Sequence, residues 1–351
     1  MNKTVRRLSD GRRITYYDEG ERPRPRTAVD TRELPEVTAV SEVRRDPLTG
    51  ELVVIAAHRQ TRTYKPAVDL CPLCPSVPGS PTEVPEADYD VVVFDNRFPA
   101  FSGGTGHADV VCFTSDHHSS FAELEPRRVR TVLEALADRT AELSVQEGVE
   151  LVFPFENRGE EIGVTLHHPH GQIYAYPFVP PRTERMLAAA RAHHDERGTP
   201  LLGDVLASER ADRRRIVAEG RHWTAFVPPA AKWPVQVLVV PHRQVPDLVE
   251  LTTAEREDFA AVYLSLLRGC DALYHRPLPY VAGWHQAPVH HDRDLAWLHL
   301  ELFSVRRAED KLKYLAGSES GMAVWINDST PERIAERLRA AQRPTRTTPT
   351  G

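Results

Sequence analysis

The sequence predicts an α+β fold of two related tandem half-units, each with an antiparallel sheet flanked by helices. Three observations predict it. The order strand, strand, helix, strand, strand occurs twice. Apolar residues recur along one helical face, and β-branched and aromatic runs are bounded by Pro, Gly and Asn. In the first copy, residues 89–94 and 108–113 read as strands, 126–144 as a helix, and 149–155 and 172–176 as strands. In the second, 223–227 and 235–240 read as strands, 253–273 as a helix, and 279–284 and 297–303 as strands.

Each helix has a local reason. Val129, Val132, Leu133, Leu136 and Leu143 fall on one face at a period near 3.6. Thr252 followed by Glu255 forms a capping-box pattern ahead of the second helix. The 351 residues are enough for two structural units, and 41% hydrophobic with 27% charged residues is a globular balance. Residues 39–195 make the first unit and 196–342 the second. Residues 1–38, polar and rich in Arg and Pro, read as a loosely held arm, and 343–351 as a disordered tail.

A net charge of −6 gives no electrostatic reason to expect nucleic acid, which is bound by clustered Lys and Arg. Residues 1–17 lack the apolar run of a signal peptide, and no stretch approaches the roughly 20 apolar residues of a membrane span. The expected setting is therefore cytoplasmic, with no membrane partner. Four cysteines in so long a chain argue against a disulfide scaffold. Cys71 and Cys74 stand at C-x-x-C spacing, which suits two ligands of one tetrahedral ion but also a redox pair. Cys112 and Cys270 sit in apolar surroundings and read as core residues.

The chemistry concentrates in Phe155-Glu156-Asn157-Arg158-Gly159 and Leu166-His167-His168-Pro169-His170-Gly171-Gln172-Ile173-Tyr174. On an extended backbone His168 and His170 share a face, and Pro169 favours that backbone for His168. Gly171 lets the main chain approach a ligand. An imidazole is largely neutral near pH 7 and attacks phosphorus without a separate base. Gln172 can donate an N–H to a phosphate oxygen, and as a poor base it would not activate water against a covalent intermediate. His170 is thus the expected nucleophile and Gln172 its partner. The bland alternative for the histidines is a sheet lining or a metal set.

His168-Pro169-His170-Gly171-Gln172 resembles the signature of the galactose-1-phosphate uridylyltransferase branch of the histidine-triad superfamily, built from two fused copies of that fold. Further matching runs are His58–Arg62, Phe94–Pro99, Gly283–Pro288 and Lys313–Glu319, so the resemblance covers roughly residues 43–338. It implies a ping-pong exchange of galactose metabolism, with UDP-glucose and galactose 1-phosphate giving glucose 1-phosphate and UDP-galactose through a uridylyl-histidine. It also implies structural zinc held by Cys71, Cys74, His117 and His168, with His118 a neighbouring competitor for His117.

By the same resemblance Asn157, Thr165 and Gln172 contact the phosphates, and Phe94, Asn96 and Phe98 form the uridine pocket. Arg97 stands where many relatives carry Asp. Arg59 and Arg62 match arginines that reach into the neighbouring subunit's site, implying a homodimer, and Lys313 and Glu319 match residues that hold the hexose. Some relatives bind a second metal, such as iron. The matching positions here are Glu184, His285, His299 and Glu301, with Glu301 replacing a histidine and Met186 falling where a glutamate is expected. Related readings are an adenylyl transferase, a dinucleoside polyphosphate phosphorylase, a nucleotide hydrolase, and a zinc-stabilised binding protein without activity.

Overall fold

The computed structural model describes residues 1–35, 40–61, 64–102, 104 and 106–342. Among them the strands are β1 (Asn2–Arg7), β2 (Arg13–Asp18), β3 (Glu42–Arg45), β4 (Leu52–Ile55), β5 (Val91–Asp95), β6 (His107–Cys112), β7 (Leu151–Arg158) and β8 (His170–Tyr176). They continue with β9 (Ile216–Glu219), β10 (Trp223–Phe226), β11 (Val235–Pro241), β12 (Tyr280–His285), β13 (His299–Ser304), β14 (Arg306–Ala308) and β15 (Lys311–Leu312). The helices are α1 (Pro126–Ser144), α2 (Pro181–Arg197), α3 (Leu201–Asp212), α4 (Thr253–Ala272), α5 (Gly317–Met322) and α6 (Pro331–Ala341).

The predicted repeat is present: β5-β6-α1-β7-β8, then β10-β11-α4-β12-β13. The two copies do not form separate sheets. One antiparallel sheet runs β1-β2-β5-β6-β8-β7-β12-β13-β11-β10-β9. The copies join where β7 pairs with β12, with Phe155 opposite Gly283. Glycine is required at that seam, because a Cβ on Gly283 would lie 2.5 Å from the Phe153 ring.

Helices α1 and α4 cover one face over a continuous core that includes Val132, Leu136, Phe259 and Trp284. The α4 capping box forms, with both the Thr252 and Glu255 arms in place. In the first half the opposite face is also buried, under Leu73, Tyr89, Ile14 and Tyr16. Strand β5, Val-Val-Val-Phe-Asp, is therefore apolar on both sides and shows no alternation. Helices α2 and α3 were not predicted, since α2 buries only Leu187 and carries no apolar stripe to read.

The expected loose arm is a correction. Residues 2–18 form β1 and β2, and β2 pairs with β5. Tyr17 points into the helix-covered core while Ile14 and Tyr16 fill the other face. Arg and Pro dominate the surrounding composition and mask the six-residue strand with its two tyrosines. Residues 36–38 of that segment and the tail 343–351 lie outside the described residues.

Tyr17 is fully buried and its hydroxyl donates to Asp138 at 2.7 Å. We predict that Tyr17→Ala lowers unfolding free energy by about 3–5 kcal/mol in urea titration. A change within about 0.5 kcal/mol, as for a surface position, would mean the segment does not pack as described.

Candidate active site and zinc cradle

Strand β8 alternates strictly: Gly171, Ile173 and Ala175 are buried, while His170, Gln172, Tyr174 and Tyr176 face the open side. That alternation aims His170 and Gln172 at one cleft of about 380 Å³, lined also by Thr165, Arg59, Asn96 and Phe98 among others. Phe94 and Val110 give it an apolar wall. Gly171 faces away from the cleft, and a Cβ there would lie 2.8 Å from the Phe113 ring and from the Phe155 carbonyl. Its need is core packing, which corrects the expected role in ligand approach.

The tautomer of His170 is fixed by geometry. Nδ1 of His170 lies 2.7 Å from the His168 carbonyl, which can only accept, so Nδ1 carries the proton and Nε2 presents a lone pair. Burial lowers the His170 pKa from its ordinary value, with the carbonyl bond opposing, so the ring stays neutral. Gln172 is oriented in the same way. The Tyr174 hydroxyl donates to its Oε1 at 3.2 Å and Arg59 Nη1 donates to that hydroxyl at 3.2 Å, leaving the Gln172 amide N–H groups to donate outward. Tyr174 was not assigned a role from sequence, although the period of two from His170 could have marked it.

A second cleft of about 510 Å³ also borders His170 and is lined by Asn157, His167 and Arg158. Lys313 and Glu319 pair at 2.8 Å outside both clefts. Arg59 lines the cleft of its own chain, so no partner is needed to bring it there. Arg62 lies outside the described residues.

Cys71, Cys74, His117 and His168 converge, with all donor atoms within 4.8 Å of one another. Cys74 Sγ lies 3.3 Å from Nδ1 of His117 and 3.5 Å from Nδ1 of His168. Tetrahedral zinc with bonds of about 2.3 Å to sulfur and 2.0–2.1 Å to nitrogen sets such edges near 3.5 Å, so the donor set fits zinc. His168 Nε2 donates to the Thr114 carbonyl at 2.8 Å, which frees Nδ1 for the metal. It is His117, not its exposed neighbour His118, that faces Cys74. His168 stands in a bend before β8, so its ring turns into this cradle while His170 lines the cleft. The two rings therefore do not share the face that an extended backbone through both residues predicted.

Two family models match the chain: the galactose-1-phosphate uridyl transferase N-terminal domain over residues 102–180 and the C-terminal domain over 187–345. The chain is 49% identical to a galactose-1-phosphate uridylyltransferase of Streptomyces lividans across 97% of its own length and 98% of the relative's. This chain belongs to the galactose-1-phosphate uridyl transferase family. A relative of that name from Thermotoga maritima is 35% identical over 86% of this chain and 98% of its own length. A solved uridylyltransferase structure superposes with a TM-score of 0.77 at 32% identity, covering 86% of this chain and 98% of that one. Membership of this family makes the protein an enzyme, a nucleotidyltransferase.

The second half of this chain repeats the backbone arrangement of the first. His299 opens β13 as His170 opens β8, and its Nδ1 donates to the Trp297 carbonyl at 2.9 Å. The side chains around it do not fit a second metal. Glu301 takes the Gln236 amide at 2.6 Å and Arg182 at 2.7 Å, and His285 Nε2 lies 3.3 Å away. A guanidinium already neutralises this buried carboxylate, and Glu184 is exposed on α2. A further acidic cluster, Asp95, His107 and Asp109, is also taken. Arg139 binds Asp109 at 2.9 Å, and although burial opposes it, the two carboxylates raise the His107 pKa to about 9.

Two outcomes are expected. Cys74→Ser should lower bound zinc and melting temperature together, read by elemental analysis and calorimetry; an unchanged melting point would remove zinc's structural role. Arg182→Met should open the Glu301 carboxylate to added divalent ions, seen as a metal-dependent rise in melting temperature that the parent protein lacks. An equal response in both would show that Arg182 does not block the position.

Proposed function

We propose that the protein is a galactose-1-phosphate uridylyltransferase working by ping-pong transfer through His170. The single observation that carries this reading is the fixed Nε2 lone pair of His170 beside the outward Gln172 amide. The lone pair forms a bond to the α-phosphorus of UDP-glucose, and the breaking P–O bond's electrons leave with glucose 1-phosphate. A phosphate oxygen of galactose 1-phosphate then attacks the uridylyl group, returning the electron pair to the ring and yielding UDP-galactose. Gln172, Thr165 and Asn157 hold the non-bridging oxygens as charge grows, with Arg59 acting directly or through Tyr174 and Gln172. Phe94, Asn96 and Phe98 receive the uridine.

Zinc held by Cys71, Cys74, His117 and His168 supplies a rigid cross-link, since four protein ligands leave no open position. The protein works as a homodimer. Support comes from two exposed apolar groups, Val53, Ile55 and Tyr64 in the first half and Tyr314, Met322, Val324 and Ile326 in the second. Four free cysteines suit a reducing, cytoplasmic setting. No described helix is long and apolar enough to cross a membrane.

Intact-mass measurement after incubation with UDP-glucose should show one added UMP on His170, removed by galactose 1-phosphate. His170→Gly should show no adduct yet accept imidazole-activated UMP. Adduct formation from ADP-glucose alone would reject the uridine assignment, and UMP release into water as fast as transfer would favour a hydrolase.

A further inference from the structure

The cleft beside His170 contains a carboxylate that the transfer step does not use. Glu83 lines it from the loop that follows Cys74, its amide N–H donating to the Pro72 carbonyl at 2.9 Å. Its side chain is 9% exposed. Two arginines from the N-terminal segment hold it: Arg12 reaches Oε2 at 2.5 Å and Arg32 reaches Oε1 at 2.8 Å. Both are themselves anchored. Arg12 bonds Asp10 at 2.7 Å and the Asp95 carbonyl at 2.9 Å, and Arg32 makes two 2.8 Å bonds to Asp30.

Glu83 faces the turn after β5. Arg97 Nη1 is 4.0 Å from Glu83 Oε1, too far for a hydrogen bond, and its side chain is 34% exposed. In the same turn Asn96 Oδ1 accepts the Phe98 amide at 2.8 Å, so its Nδ2 hydrogens remain to donate. This end of the cleft thus offers an acceptor carboxylate opposite donors from Asn96 and Arg97. The adjoining wall of Leu73, Phe94 and Val110 is apolar and suits a flat base. A nucleoside whose base lies on that wall brings its sugar to the polar end. A vicinal diol has two O–H donors and two acceptor oxygens, which this arrangement complements.

We propose that Glu83 is a specificity-determining residue that accepts hydrogen bonds from the ribose hydroxyls of the nucleotide, with Asn96 and Arg97 donating to the same diol. Arg12 and Arg32 are positioning residues that aim the carboxylate. The residue after Asn96, an arginine, does not supply the ribose acceptor in this chain; the facing loop does. The inference rests on reading this cleft as the nucleotide site, and it gives the N-terminal segment a place in that site.

The test compares UDP-glucose with its 2′-deoxy and 3′-deoxy analogues in transfer, and UMP with the matching deoxynucleotides in calorimetric binding. The parent enzyme should prefer the ribose forms by roughly tenfold or more, mainly through KM. In Glu83→Gln that preference should fall to within about threefold, because an amide is a weaker and one-sided acceptor. Should the glutamine variant fail to fold, Glu83→Asp keeps the charges and should still shrink the ratio by withdrawing the oxygens. A purely structural ion-pair hub would instead slow all donors alike and keep the ratio, which overturns the proposal. Equal binding of UMP and its deoxy forms to the parent protein also overturns it, while leaving the transfer reaction intact. A ribose preference in binding without transfer from any UDP-sugar would reject the reaction and keep the ribose contact.

Discussion

One hydrogen bond organises this molecule's chemistry: the 2.7 Å contact from His170 Nδ1 to the His168 carbonyl. It joins the two halves of a short motif that have different duties. The His168 ring belongs to the metal cradle, and its carbonyl sets the proton on the neighbouring ring. A rotation of either residue would disturb both functions. A metal at this cradle would stiffen the peptide whose carbonyl fixes the His170 tautomer. The Tyr174 hydroxyl does the same for Gln172, holding the amide so that its donors point outward.

The sheet turns a local duplication into an asymmetric molecule. Both copies place a histidine at the start of their last strand with the same backbone bond, at His170 and His299. The residue two further on separates their fates. Gln172 is a neutral donor beside an open cleft, whereas Glu301 is a buried anion closed off by Arg182 and Gln236. A carboxylate repels phosphate, and neutralising it with a guanidinium fills the space a ligand would need. His299 is held neutral, its pKa lowered to about 3 first by burial and then by His285. The second copy thus completes the sheet and the core, with a closed ion pair where the first copy has an open cleft.

The N-terminal segment shows how a polar composition can conceal a structural role. Arg12, Arg26 and Arg32 are all nearly buried, and each is paired with a carboxylate within or beside the segment. Buried ion pairs of this kind give orientation more than net stability, because desolvation offsets much of the attraction. Here they tie β1 and β2 to the wall of the cleft.

The sequence by itself determined the repeat and its two long helices, and it marked His170 as the candidate reacting group. Alternation in His-Gly-Gln-Ile-Tyr and the 3.6 period of α1 are local properties, so they read directly from neighbouring residues. Tertiary structure alone decided that the two copies share one sheet, because strand pairing across β7 and β12 joins residues more than a hundred positions apart. It also decided which neighbour of Cys74 is His117, that Gly171 serves the core, and that Arg182 occupies Glu301. The N-terminal strands depend on tertiary structure for the same reason. Their burial comes from distant partners on both faces, and no local pattern records contacts of that kind.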